Sequence, residues 1–333
     1  MKRIALALLA ALPAMAAITG TVMNRSTGKP QAGATVGFYT FNGGPMQKAA
    51  EARTGTQGKF TIDQQAGTTG PSMLRVEIDG VTYNRMIPPG TPSNGLTIDV
   101  YNATKEPGAA RVGKHMIMFE PSGGQMTVNE TYLFENPGKT TWFDPAHGTL
   151  RFYLPAAAKG NVDVHATAPD GMPVPVPTAK TAERDVYEAK FEIKPGETRF
   201  DLAYSVPYTD GTPYTGKIVS KDEDTYLIAA NGVTLNGDGL KDLGVEPKTQ
   251  AHIYGLAGTS YKVVLTGSVA PPPDTDSTAA QDDGPQIQEI MPRIYGRAAM
   301  ILGLALGILG IGFALLYRSR GPEAREGDER GRR

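Results

Sequence analysis

Two apolar segments lie near the two ends of the chain, and they constrain everything between them. The first, residues 4–12, follows the basic pair Lys2 and Arg3 and precedes the small residues Ala14-Met15-Ala16. A basic start, a short apolar run and a small-x-small site are the three parts of a secretory signal peptide. We therefore expect residues 1–16 to be a signal peptide and the chain that follows to be exported.

The second apolar segment, residues 298–317, contains no charged residue. As an α-helix it would be about 30 Å long, which matches the hydrocarbon thickness of a bilayer. Such a run is unusual in a soluble core, so we predict one transmembrane helix rather than a buried core helix. The arginine-rich tail, residues 318–333, should stay in the cytoplasm, because basic residues close to a span resist translocation.

Small residues recur every four positions in this predicted helix, at Ala299, Gly303 and Gly307. They share one helix face and would let a second helix approach closely. The spacing predicts helix packing through these three residues, either in a homodimer or with another membrane subunit. The alternative is that they form no contact, since glycine is frequent in membrane helices generally.

The composition excludes several classes of function. The formal net charge is −1 and no basic stripe is present, so we expect no nucleic-acid partner. The chain has no cysteine, which excludes disulfides, thiolate catalysis and cysteine-ligated metal. A simple signal without disulfides is typical of a bacterium. We predict a single-pass protein of the cytoplasmic (inner) membrane, with its N-terminal domains in the periplasm or outside the cell.

Between the apolar segments the pattern is that of β-structure. Short runs rich in Val, Ile, Thr, Tyr and Phe alternate with Gly, Pro, Asn and Asp. The pattern predicts an all-β fold with two antiparallel β-sandwich domains. The predicted strands are Ile18–Met23, Ala34–Thr40, Lys59–Asp63, Met73–Ile78, Leu96–Tyr101, His115–Glu120, Gln125–Phe134, Thr149–Leu154, Asn161–Ala166, Val186–Ile193, Thr198–Tyr204, Lys217–Ser220, Thr225–Ala229 and Tyr261–Leu265.

The two predicted domains are residues 17–103 and 112–267, with a boundary where Lys105-Glu106-Pro107-Gly108 interrupts the apolar pattern. Residues 268–297 begin with a proline-rich, polar stretch that cannot bury enough apolar area to fold. We predict that they form a stalk. The alternative, an ordered loop, fits poorly because long loops without structure are rare inside compact domains.

Three short segments of the first domain carry a recognisable pattern. They are Ile18-Thr19-Gly20-Thr21-Val22, Gly28-Lys29-Pro30-Gln31-Ala32-Gly33-Ala34-Thr35-Val36 and Thr54-Gly55-Thr56-Gln57-Gly58-Lys59-Phe60-Thr61-Ile62. Glycine and proline supply the turns between the strands that they separate. Residues 18–101 resemble the carboxypeptidase regulatory-like domain, a transthyretin-like β-sandwich. The resemblance implies a fold and a non-catalytic accessory role, beside peptidases, in surface proteins or in relatives that hold sugars.

No catalytic pattern accompanies this domain. The four histidines are His115, His147, His165 and His252. None of them has a glutamate three residues later, and no two have metalloprotease spacing. Asn236, Asp238 and Asp242 resemble part of a calcium loop, but Pro247 stands where its bidentate glutamate belongs, so we prefer a polar turn. We predict no enzyme activity, no catalytic residues, no metal and no cofactor.

The second domain matches no family that we identify. Its strands should bury tyrosine and phenylalanine and place charged residues on polar faces. The charged residues are Glu130, Glu135, Arg151, Glu197 and Arg199. Trp142 is the candidate binding residue, because exposed aromatic loops often stack on sugars. The alternative for a lone tryptophan is a core anchor.

These observations predict a membrane-tethered extracytoplasmic binding or scaffolding protein. It would recognise a partner protein or a polysaccharide through its β-sandwich domains. One alternative is a glycan-active or proteolytic envelope enzyme, which would need a cleft with converging acid and base groups. Another is a sensor that acts through a membrane partner, since the tail has no room for a folded output domain.

Overall fold

A computed structural model describes residues 17–41, 45–67, 70–220 and 224–269, all within one compact unit. These residues form strands, turns and one short 3-10 turn at Ala156–Ala158, and the described part contains no α-helix. No helix long and apolar enough to cross a bilayer occurs among them. The predicted signal peptide, most of the predicted stalk, the predicted transmembrane helix with Ala299, Gly303 and Gly307, and the tail lie outside the described residues.

The prediction of an all-β fold is confirmed for the described residues. The strands are β1 (Ile18–Asn24), β2 (Lys29–Pro30), β3 (Thr35–Thr40), β4 (Gln47–Arg53), β5 (Lys59–Ile62), β6 (Ser72–Ile78), β7 (Val81–Ile87), β8 (Leu96–Val100), β9 (Ala103–Thr104), β10 (Arg111–Ser122), β11 (Gln125–Asn136), β12 (Thr141–Trp142), β13 (Leu150–Tyr153), β14 (Asp163–Thr167), β15 (Val174–Pro175), β16 (Thr178–Lys180), β17 (Val186–Ala189), β18 (Gly196–Pro207), β19 (Pro213–Lys217), β20 (Asp224–Ala229), β21 (Val233–Gly237), β22 (Leu240–Val245), β23 (His252–Leu256) and β24 (Ser260–Gly267).

The strand predicted at Val186–Ile193 is too long, because β17 ends at Ala189. Beyond such shifted ends, the predicted strands differ from these in two ways. The predicted strand Lys217–Ser220 is wrong beyond its first residue, because the strand there is β19, which ends at Lys217. The longer strands β4, β7, β21, β22 and β23 were not predicted. β4 is rich in alanine and charged residues, which have low β-propensity, so its strand conformation depends on pairing with β3.

The first hydrophobic core, which lies in residues 18–100, is shared by two sheets. One sheet has the order β4-β3-β6-β7, and the other has β2-β1-β5 with β8 added in parallel to β1. Phe38 and Leu74 from the first sheet and Val22 and Phe60 from the second are all buried in this core. Its stability follows from the apolar area that these facing side chains remove from water.

The second hydrophobic core, which lies in residues 110–265, is built on an eight-stranded sheet. The order of this sheet is β15-β14-β18-β11-β10-β20-β23-β22. β11 pairs antiparallel with β10 on one side and with β18 on the other. Every second residue of β11, from Met126 to Asn136, is buried, as the period of two along a strand requires. The three-stranded sheets β13-β17-β16 and β19-β24-β21 also contribute to this core.

Candidate binding site

Strand β12 joins the two cores. It pairs in parallel with β9, and the amide of Thr141 donates to the carbonyl of Asn102 at 2.9 Å. Trp142 packs against the second core, whereas Phe143 packs against the first. Successive side chains of an extended segment point to opposite sides, so two adjacent aromatic residues can anchor both cores.

Trp142, the candidate sugar-binding residue, is half-buried at this junction. Its indole Nε1 donates to the carbonyl of Lys105 at 3.0 Å. The centroid of its ring lies 6.2 Å from that of Phe134. These are the contacts that the core-anchor alternative requires, and sugar binding by Trp142 stays a prediction.

Tyr83 of β7 connects the same two cores through its hydroxyl. This hydroxyl donates to the carbonyl of Tyr101 at 2.9 Å. Its single proton is then used, so the hydroxyl of Thr141, 2.9 Å away, donates to the Tyr83 oxygen. Burial raises the pKa of Tyr83 to about 12, which keeps the phenol neutral at ordinary pH.

Lys194, from the second part of the chain, reaches the edge of β7. Its ammonium donates to the carbonyl of Thr82 at 2.5 Å, lies 3.2 Å from the carboxylate of Glu192 and is 5.1 Å from the centroid of the Tyr83 ring. Burial lowers the pKa of Lys194, and Glu192 opposes that shift. The bond to Thr82 shows that this carbonyl points away from the neighbouring strand β6.

A cleft of about 350 Å³ opens beside the junction. Its lining comes from β7, from β8, from the loop after β14 and from Lys194 and Pro195. Arg85 and Asp170 line it, and the side chain of neither forms a hydrogen bond or an ion pair with another described residue. Asp99, a third charged residue of the lining, is paired with Arg25 at 2.9 Å. The cleft therefore offers one uncommitted charge of each sign.

A second group of polar residues is enclosed in the second core, around Glu130. One carboxylate oxygen accepts hydrogen bonds from Nε2 of His115 and from the hydroxyl of Tyr132, both at 3.0 Å. The other oxygen accepts from the hydroxyl of Tyr204 at 2.8 Å. The hydroxyl of Tyr214 lies 2.9 Å from that of Tyr204 and extends the network.

This network is closed to solvent. Glu130 is 5% exposed and His115 is 1% exposed. Burial, and then the charge of Glu130, raise the pKa values of Tyr132 and Tyr204 well above the ordinary value. The placement of Glu130 on a polar face was wrong: the residue shares the buried side of β11 with Tyr132, and the three hydrogen bonds compensate the loss of its hydration.

The calcium-like segment spans the turn between β21 and β22, two consecutive strands that belong to different sheets. Asp242 accepts hydrogen bonds from Nε2 of His252 at 2.7 Å and from the amide of Gly244 at 2.8 Å. The hydrogen bond from His252 is the main reason that the pKa of Asp242 is lowered. Within the described ranges, no three acidic, histidine or cysteine side chains come together as metal ligands.

Sequence reasoning missed two features for which a signal existed. Glu130 stands two residues before Tyr132, so strand periodicity alone places both on one face. Asp79-Gly80, between apolar runs, is a strong hairpin signal that predicts β7 after β6. The contact of Lys194 with Thr82 joins residues far apart in the chain and has no local signal.

Comparison with known proteins gives no family. No family model matches the chain, and no curated protein matches it either. A structure of the M1 zinc metallopeptidase from Deinococcus radiodurans aligns with a TM-score of 0.25 and 7% identity, over 52% of this chain and 50% of that one. A two-domain M1 zinc metallopeptidase bound to L-arginine aligns with a TM-score of 0.25 and 8% identity, over 47% and 42%. The alignments span half or less of those chains, and at this TM-score they carry no argument.

Proposed function

We propose that this chain is a membrane-tethered extracytoplasmic binding or scaffolding protein. In this proposal its two cores belong to two β-sandwich domains, the first of them transthyretin-like. A signal peptide exports them, and one transmembrane helix holds them at the cytoplasmic membrane of a bacterium. The supporting observation is the cleft beside the junction, where the charges of Arg85 and Asp170 are uncommitted.

The burial of the aromatic side chains favours a protein partner over a polysaccharide. Every tryptophan, tyrosine and phenylalanine in the described ranges is buried or half-buried. The exposed large apolar side chains there are aliphatic, namely Met86, Met172, Val174, Leu243 and Val245. Because no ring in these ranges is fully exposed, the described surface offers a sugar few flat faces on which to stack. Met86 adjoins Arg85 in the cleft lining, and methionine and arginine are enriched at protein interfaces.

The proposal is tested by cross-linking intact cells that carry the tagged full-length protein. The complex is purified in detergent, and the attached molecules are identified by mass spectrometry. We expect an envelope protein to be captured, to be lost with Arg85→Glu and to be retained with Arg184→Glu, because Arg184 is an exposed arginine outside the cleft lining. Capture of polysaccharide alone would favour the glycan alternative, and no specific capture would contradict the proposal.

A further inference from the structure

The outer edge of β7 carries unpaired backbone groups. β6 and β7 are joined by the two-residue turn Asp79-Gly80, which makes Ile78 and Val81 a hydrogen-bonded pair. In an antiparallel ladder the hydrogen-bonded positions alternate along the strand. Thr82, Asn84 and Met86 therefore direct their amides and carbonyls away from β6.

The contact made by Lys194 confirms this direction and shows where the edge is open. The ammonium of Lys194 donates a hydrogen bond to the carbonyl of Thr82. No described group bonds to the backbone of Asn84 or of Met86, and both residues are exposed. Two amides and two carbonyls are thus free along this stretch, in the lining of the cleft.

β7 lacks three of the features that commonly protect a sheet edge against strand addition. Natural edges are blunted by proline, by bulges or by short length. Three other edge strands have such features. β15 contains a proline, and the pairings of β4 and β22 each include a bulge. β7 has seven residues, contains no proline, and its pairing with β6 runs without a shift from Ser72 to Ile78.

We propose that an extended peptide segment of a partner protein adds to the edge of β7 within the cleft. Main-chain hydrogen bonds to Asn84 and Met86 would supply affinity, as in other cases of strand addition. The guanidinium of Arg85 has no partner among the described residues, so an acidic side chain opposite it would complete an ion pair. This inference rests on the proposed function and specifies its site and partner class.

The walls of the cleft favour a single strand over a second copy of the chain. Residues 168–171 and Pro195 of the second part stand opposite β7. An added strand lies about 4.8 Å from its neighbour, which requires little space beyond that of one extended chain. If β7 paired with a sheet of another copy, the remaining strands of that sheet would also have to fit beside these residues.

The test measures hydrogen exchange of the full-length protein in detergent with two synthetic ten-residue peptides. Both alternate valine and threonine, and one has a central glutamate where the other has a central lysine. We expect the glutamate peptide to slow exchange in the β7 fragment and to bind about fivefold more tightly than the lysine peptide. Arg85→Glu should remove that preference.

A pair of variants at Asn84 separates strand addition from other binding. Asn84→Pro removes one outward amide without touching the pairing with β6, and should abolish the protection. Asn84→Thr keeps that amide and should preserve it. Both variants lose the hydrogen bond that Arg75 donates to the Asn84 side chain, so the comparison is matched.

Three results would overturn this inference. They are equal binding of the two peptides, protection that persists in Asn84→Pro, and self-association through β7 in the absence of peptide. Cellular capture of an envelope protein that Asn84→Pro leaves unchanged would retain the proposed function and exclude β7 as its site. Failure of both capture and peptide binding would exclude the two proposals together.

Discussion

At the scale of the residue, Glu130 shows how a carboxylate can be buried in an apolar core. Its oxygens accept hydrogen bonds from His115, Tyr132 and Tyr204. His115 also stacks on Tyr132, with ring centroids 3.8 Å apart. The Nδ1 atom of His115 has no hydrogen-bond partner in the described structure, so the imidazole is held through Nε2 and its face.

We predict that Glu130→Gln lowers the free energy of unfolding by about 1–3 kcal/mol. An amide nitrogen would replace one of the two accepting oxygens and leave a buried donor without an acceptor. Glu135→Gln is the matched control, since this exposed residue of the same strand pairs with Arg111 at the surface and should cost less than about 1 kcal/mol. Urea denaturation measures both. Equal losses for the two variants would contradict a structural role for the network.

The sequence predicts part of this residue-scale picture. Alternation in β11 correctly places Tyr132 and Phe134 in the core. Glutamate is rarely buried unless it is paired, which is why Glu130 was placed with the polar residues. Its partners His115 and Tyr204 come from β10 and β18, and no pattern within one strand identifies partners on its neighbours.

At the scale of the element, the β6–β7 hairpin depends on its turn. Asp79 and Gly80 have φ values of 52° and 78°, the left-handed backbone that a type I′ turn requires. The turn sets the register that buries Val81 and Tyr83 and leaves Asn84 at the open edge. The amino-acid sequence contains this turn signal, whereas the pairing of β12 with β9 depends on tertiary packing and has no such signal.

We predict that Gly80→Ala destabilises the protein by about 1 kcal/mol, because a side chain disfavours positive φ. The cost is conformational, since an added Cβ would lie 3.7 Å from the Phe143 ring, an ordinary contact. Gly55→Ala is the control: its backbone is not left-handed and its nearest neighbour would lie 3.9 Å away. Thermal unfolding followed by circular dichroism compares the two, and an equal change in both would refute the explanation.

At the scale of the whole molecule, the two cores are connected through β12 and through Tyr83. The junction combines the rings of Trp142 and Phe143 with the hydrogen bonds of Thr141 and Lys194. Single-sequence patterns predict the β-rich composition of both parts. They do not predict this junction, because its residues come from segments that are distant in the chain.

We predict that Phe143→Ala separates the unfolding of the two cores. The wild type should unfold in one transition, because each core supports the other through the junction. The variant removes the ring that packs on the first core, so the first core should melt at a lower temperature than the second. Differential scanning calorimetry would show two transitions. A single transition shifted as a whole would contradict the prediction.

We predict that stability falls as the pH rises above about 10. Burial raises the pKa of several tyrosines, among them the five named Tyr83, Tyr132, Tyr204, Tyr214 and Tyr261. Above pH 10 the unfolded chain loses phenolic protons that the folded chain keeps, so unfolding becomes easier by about 1.4 kcal/mol per pH unit for each such tyrosine. The pKa of Lys194 is lowered, so its contribution to stability changes with pH in the opposite direction. This single lysine is outweighed by the five tyrosines.

Calorimetry between pH 7 and pH 11.5 measures this dependence. The midpoint should be nearly constant at first and then decline steeply. Tyr204→Phe should decline less steeply, because it removes one of the five phenols. A flat profile across the alkaline range would contradict the assignment of these phenols as buried and protonated.

Because of its position, Trp142 can serve as an intrinsic fluorescence probe. It is the only tryptophan in the chain, and it lies where the two cores meet. Its indole is half-buried and bonded to Lys105, so its fluorescence spectrum should shift to longer wavelength when the junction opens to water. Junction opening can therefore be followed in real time without any label. A change in Trp142 emission on partner binding would show that binding in the cleft alters the environment of the junction.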